Sequence, residues 1–172
     1  MNHLPEAVLL DLDDTILDDS GNVSACWLGA CVAYQADMDG LDPVVVHESI
    51  KRTRAWFWAD PERHRVGRLN LVTRFGLTEL FDVILIEGEV GFGKPDPRIY
   101  MQALDEVGVA PADTWMVGDN LEWDVAGPQR QGIAGIWIDV RGSELSAGHA
   151  VRPNRIIRRL ADLREHGAAQ VR

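Results

Sequence analysis

The sequence predicts an α/β fold with a mostly parallel sheet and flanking helices, and three observations carry that expectation. Short apolar runs are nearly continuous instead of alternating, segments of helical period separate them, and acidic residues follow the ends of two of the runs. Strands covered on both faces have no polar side and so read as unbroken apolar stretches. Ala7 to Leu12 is the first such run, and from Asn22 to about Gly76 the pattern turns helical without a strand. Val23 to Met38 and Val44 to Trp58 are the first two helices expected in this insertion. Asp60 as cap, Pro61 at the first helical position, Val66, Leu69, Val72 and Phe75 along one stripe and Gly76 as stop predict a third. Phe81 to Ile86 reads as the second strand. The helix from Pro97 to Gly108 presents Ile99, Tyr100, Ala103, Leu104 and Val107 on one face, and Trp115 to Val117 then closes a βαβ unit. Leu121 to Gln131 supplies another helix and Ile133 to Val140 a fourth strand. Pro153 is expected to open a last helix with Ile156, Ile157, Leu160 and Leu163 as its apolar stripe, its arginines forming the solvated face.

Composition narrows the function. Against 17 Lys and Arg stand 27 Asp and Glu among 172 residues, a formal charge of −10, which repels phosphate backbones and anionic lipid. No nucleic-acid or membrane partner is expected. No apolar run approaches the length of a membrane span and the opening residues lack a basic leader, so a cytoplasmic location is the expectation. Cys26 and Cys31 share one helix and read as reduced core residues, and Trp27, Trp56, Phe57 and Trp58 read as packing surface. His3, His47, His64, His149 and His166 show no zinc-ligand spacing, so any bound metal should have oxygen ligands.

The chemistry concentrates in three short stretches. Asp11-Leu-Asp-Asp-Thr15 follows the first strand, where open α/β sheets place ligands, and the period of two sends Asp11 and Asp13 to the same side. Clustered carboxylates beside a buried strand are tolerated by a cation or a proton, and one can attack while the other moves a proton. Val117-Gly-Asp-Asn-Leu-Glu-Trp-Asp124 places Asp119 at a strand end and Asp124 near the next helix start, and with the first pair this suits Mg²⁺. Between them Gly91-Phe-Gly-Lys-Pro-Asp-Pro97 holds Lys94, able to neutralise a substrate phosphate. Gly88 to Lys94 also fits GxxxxGK, but Pro95 stands where a Mg²⁺-binding hydroxyl belongs and acidic residues line the loop, so a nucleotide-binding loop is rejected.

In this order DLDDT, GKPDP and GDNLEWD resemble motifs I, III and IV of the haloacid dehalogenase-like (HAD) hydrolase superfamily. The helical insertion resembles the α-helical cap placed after motif I in the phosphoglycolate-phosphatase-like subfamily. The resemblance implies a Rossmann-like core over residues 1–21 and 77–172 and a shortened cap over 22–76. It further implies that Asp11 is the nucleophile forming an aspartyl phosphate and Asp13 the acid and base. Lys94 would bind the phosphoryl group. Asp11, the Asp13 backbone carbonyl and Asp119 would hold Mg²⁺, and Asp124 would support its water. An acid two positions after the first Asp marks the phosphatase branch rather than the dehalogenases.

One departure accompanies these matches. The motif II Ser or Thr should end a strand followed by a crossover helix, yet only Arg74 to Leu80 separate Thr73 from Phe81, too few for a parallel crossover. The motif II strand and helix are therefore expected to be missing, with Thr73 a doubtful stand-in. The leading function is a Mg²⁺-dependent phosphatase of small phosphorylated metabolites. The competing class is a catalytically impaired remnant acting as a binding module or without function, and a receiver-type phosphoacceptor domain is a more distant third. Exposed sheet edges would favour self-association.

Overall fold

A computed structural model of the chain describes residues 4–17, 21–146 and 148–164. His3 and His166 lie outside the described residues. The fold falls into two compact units, one formed by Met1–Asp18 and Phe92–Arg172 and the other by Asp19–Gly91.

The first unit is built on four parallel strands in the order β1 (Ala7–Leu10), β2 (Thr114–Gly118), β3 (Ala134–Ile138) and β4 (Arg155–Ile157). Ala7 pairs with Thr114, Trp115 with Ala134 and Ile136 with Arg155. The period of two divides the apolar side chains of β2 between two clusters. Trp115 and Val117 join Ile136, Ile138 and Ile157 on one face, while Met116 joins Tyr100, Leu104 and Ile133 on the other. Burial on both faces explains the unbroken apolar runs of the sequence. The second face is covered by the Pro97–Val107 helix, whose predicted stripe contributes Tyr100 and Leu104 to the core. Its start is fixed by the Asp96 carboxylate accepting from the Arg98 N–H and by Pro97 in the first turn, and it ends on Gly108 at φ 70°.

The second unit contains α1 (Val23–Ala33), α2 (Pro43–Trp58), α3 (Pro61–Arg74) and the single turn α4 (Glu87–Val90), so the Pro97–Val107 helix is α5. Asn22, Asp42 and Asp60 cap α1, α2 and α3 through side-chain oxygens, and Pro43 and Pro61 stand in the first turns of α2 and α3. The helix expected from Asp60 to Gly76 is thus present. Thr73 spends its hydroxyl on the Leu69 carbonyl within α3, at 2.9 Å. The expected first helix is shorter, ending at Ala33 with a separate 3₁₀ turn at Gln35–Asp37. Cys31 is buried as expected, whereas Cys26 is exposed. The tryptophans are less enclosed than a packing role requires: Trp27 and Trp56 are about half exposed, and the Arg63 guanidinium lies 3.8 Å from the Trp56 ring centroid.

One expected strand and one expected helix are corrected. Phe81 to Ile86 is extended at both ends but belongs to no strand, because it falls in the helical unit, where no described strand can pair with it. Its absence from the sheet leaves β1 at an edge among the described strands. The segment after Pro153 is β4 and a 3₁₀ stretch, Leu160–Arg164, not one helix. An apolar stripe this short fits either period, and the open edge of β3 decides it. Asn154 donates its N–H to the Gly135 carbonyl and accepts the Gly135 N–H on its side chain, which starts the pairing, and Ile157 then enters the core while Ile156 faces out. Leu160 and Leu163 still pack on that core.

Asp139, just past β3, locks this region. Its side chain accepts the N–H groups of Ser143 and Glu144 and pairs with Arg158 at 2.7 Å. Burial would raise its pKa, but the donors and Arg158 outweigh burial and hold it below the ordinary carboxylate value. A depressed folded-state value adds stability above the unfolded carboxylate pKa of about 3.9, and that stability is lost as pH falls through the folded value. The Asp139→Asn variant should accordingly show a lower thermal midpoint at neutral pH and a gap from wild type that closes on acidification below roughly pH 4, read by circular dichroism. Ile136→Ala, at a fully buried site, should cost about 2–5 kcal/mol in urea unfolding.

Candidate active site

Parallel strands deliver the residues that follow them to one edge of the sheet, and here Asp11 follows β1 and Asp119 follows β2. The Asp11 N–H donates to the Val117 carbonyl at 2.9 Å, so the pairing of β1 with β2 itself continues to Asp11. After Asp119 the chain enters one turn of π-helix, Leu121–Ala126, and the short helix α6 (Gly127–Gln129). Asn120 caps this turn, its side-chain oxygen accepting from the N–H groups of Glu122 and Trp123, each at 3.0 Å. Tyr100 of α5 donates its hydroxyl to the Trp123 carbonyl at 2.5 Å, tying the turn to the helix below it. The result folds Asp124 back against the strand end. A Cβ on Gly118 would lie 2.2 Å from the Asp124 carboxyl carbon, so glycine is required there by close approach.

Lys94 joins the two acidic stretches. Its Nζ donates to Asp11 Oδ1 and, at 2.6 Å, to Asp124 Oδ1. Asp124 is 1% exposed in its side chain, and its second oxygen accepts the Asn120 N–H at 3.0 Å. Burial would lower the Lys94 pKa, but the charges of Asp124 and Asp11 outweigh it and hold the ammonium above its ordinary value. Burial, with the Asp11 charge adding to it, pushes Asp124 up to about 6 against the opposing pull of Lys94. Asp119 is exposed as a residue, but partial desolvation of its carboxyl raises it as well, followed by the charges of Asp11 and Asp14. Desolvation is the larger cause of both shifts, and the crowding of three carboxylates around one ammonium adds to it.

One oxygen each from Asp11, Asp119 and Asp124 lies within 4.8 Å of the others. An all-carboxylate donor set of this size fits a hard divalent cation such as Mg²⁺ and offers nothing to a soft metal. Asp13 stands two residues after Asp11 in a turn closed by hydrogen bonds from the Ile16 and Leu17 N–H groups to the Leu12 carbonyl. It forms an isolated bridge with Leu17. Its carboxylate is not one of the clustered three. In the same turn Thr15 is buried, and its hydroxyl has no hydrogen-bond partner among the described residues. Thus Asp11, Lys94, Asp119 and Asp124 come together as their motifs suggest. Asn120 and Tyr100 escaped the sequence reading: an Asn between two acids carries no signal of its own, and a Tyr at helical spacing reads as core.

Comparison with known proteins agrees with the geometry. The family model described as haloacid dehalogenase-like hydrolase matches residues 63–132. A phosphoserine phosphatase of Thermus thermophilus is 50% identical over 64 residues, 37% of this chain and 26% of that protein. The mouse N-acylneuraminate-9-phosphatase is 44% identical over 63 residues, 36% of this chain and 25% of the relative. The match therefore spans about a quarter of the length of these curated relatives. Among solved structures, a HAD phosphatase from Thermococcus onnurineus superposes with a TM-score of 0.61 at 22% identity, covering 92% of this chain and 95% of that one. A 2-haloacid dehalogenase from Pseudomonas syringae gives 0.60 at 23%, covering 93% and 96%, so these two likenesses show the fold alone. Over residues 63–132 the chain is thus similar to the haloacid dehalogenase-like hydrolases, and its fold is like that of the two solved structures.

Proposed function

We propose that the chain is a Mg²⁺-dependent phosphatase acting on a small phosphorylated metabolite through an aspartyl phosphate on Asp11. The observation that carries this reading is Lys94, a cation held between Asp11 and Asp124 with Asp119 alongside. The phosphatase names of the relatives support it. The helical unit would serve as a shortened cap over 22–76, and the core would take 1–21 and 77–172.

In this mechanism an Asp11 carboxylate oxygen attacks phosphorus of the bound ester, and the bond to the leaving oxygen breaks while Asp13 gives that oxygen its proton. Asp13, now a base, takes a proton from water as the water oxygen attacks the phosphoryl group on Asp11. Inorganic phosphate leaves and the Asp11 carboxylate is restored. Lys94 neutralises charge on the transferring group from within hydrogen-bond reach of Asp11. Asp11, the Asp13 main-chain carbonyl and Asp119 would hold the ion, and Asp124 its water, in the arrangement the family resemblance implies. When bound, Mg²⁺ supplies charge neutralisation and polarisation of phosphoryl oxygens.

The impaired-remnant reading rests on one observation of its own. Thr73 spends its hydroxyl within α3 and no described strand ends at it, which supports the reading that the motif II donor is absent. A transferring phosphoryl group would then have fewer charge-matched donors, which lowers the rate without changing the roles of the carboxylates. Self-association through the β1 edge and a cytoplasmic location stay part of this proposal; no helix among the described residues is long and apolar enough to cross a membrane.

A Mg²⁺-dependent assay on an aryl phosphate tests the function. Asp11→Asn should abolish turnover, and Asp13→Asn should reduce it by roughly 10²- to 10⁴-fold, the range for lost acid–base catalysis. Full activity in Asp11→Asn would rule out the covalent route. Millimolar Mg²⁺ should raise the thermal midpoint of wild type, and Asp119→Ala should erase that rise. Thr73→Val should leave turnover unchanged, since its hydroxyl serves only α3. Gly118→Ala should lower both turnover and stability by driving Asp124 off the strand end.

A further inference from the structure

The peptide between Asp119 and Asn120 is anchored on both of its polar groups. Its N–H donates to Asp124 Oδ2 at 3.0 Å, and its carbonyl accepts from the indole Nε1 of Trp137 at 2.7 Å. Because a peptide unit is planar, two bonds on opposite sides fix its rotation, and with it the backbone torsion that aims the Asp119 side chain. Asp119 itself is exposed, so little packing holds its carboxylate where the backbone sends it. Trp137 is 7% exposed and pairs in register with Gly118, so no side chain on β2 competes with the indole at that position. Phe, Leu or Ile would fill such a core position equally well but would leave the Asp119 carbonyl without its donor.

We propose that Trp137 is a positioning residue for Asp119 and, through it, for the Mg²⁺ site, an inference that rests on the metal reading above. The indole N–H fixes the peptide that carries Asp119, and it acts from the neighbouring strand.

The test is a calorimetric Mg²⁺ titration of wild type, Asp119→Ala and Trp137→Phe, with Mg²⁺ alone as ligand. Trp137→Phe should bind roughly 3- to 10-fold more weakly, the span expected from one lost neutral hydrogen bond, while Asp119→Ala should show no saturable binding. A merely structural indole would lower the thermal midpoint of the metal-free protein and leave the Mg²⁺ dissociation constant at the wild-type value. That result overturns the proposal while leaving the metal site standing. Wild type that binds no Mg²⁺ at millimolar concentration overturns both. Should Trp137→Phe fail to fold, the indole ¹⁵N–¹H resonance of Trp137 in labelled wild type gives a second readout. It should move in step with Mg²⁺ saturation and stay fixed in Asp119→Ala; a resonance that ignores saturating Mg²⁺ in wild type refutes the positioning role.

Discussion

Lys94 is the cation on which the arrangement of the site depends. Three carboxylates from two strand ends sit close together at the edge of the sheet, and one ammonium bridges two of them. A charged pair this enclosed is a weak source of net stability, because desolvation offsets most of the attraction, but removing one partner alone leaves an uncompensated buried charge. The site is therefore held together by mutual need. Substituting Lys94 would strand the almost fully buried Asp124, whereas a bound divalent cation would offset the desolvation and the neighbouring negative charge that together lift Asp119 and Asp124.

The backbone around that charge cluster is built for close approach. Gly118 leaves room for Asp124, Asn120 caps the π-turn that carries it, and Tyr100 holds the turn from α5. A single turn of π-helix in place of an ordinary helix start is a costly geometry that functional sites tend to keep. Farther along the same sheet edge, Asp139 follows β3 but turns its oxygens onto backbone donors and Arg158. Three strand ends thus carry an Asp, yet the third is satisfied by its own loop and contributes stability instead of chemistry.

The helical unit has a different character. Its α1 is apolar on every side, with only Cys31 buried, while Val32, Tyr34, Val44, Val45 and Trp56 are each more than half exposed. Three helices alone offer too little interior for that much apolar surface, and arginines stacked on Trp56 and Trp58 cover part of it.

The sequence by itself determined the α/β class, the acid clusters and Lys94, the capped helix over Thr73 and the absence of a strand ending at Thr73. Each rests on local rules: strand period, capping chemistry, and the minimum length of a parallel crossover. It misjudged the stretch after Pro153, where Ile156, Ile157, Leu160 and Leu163 suit a helix stripe yet Ile157 enters the core from a strand. It also assigned Phe81 to Ile86 to a sheet that does not contain it. Only the tertiary structure decided these, because a short apolar segment becomes a strand when an open edge lies within reach and remains unpaired when none does. The anchoring of the Asp119 carbonyl by Trp137 belongs to the same class: strand register, not sequence spacing, brings together residues 18 apart.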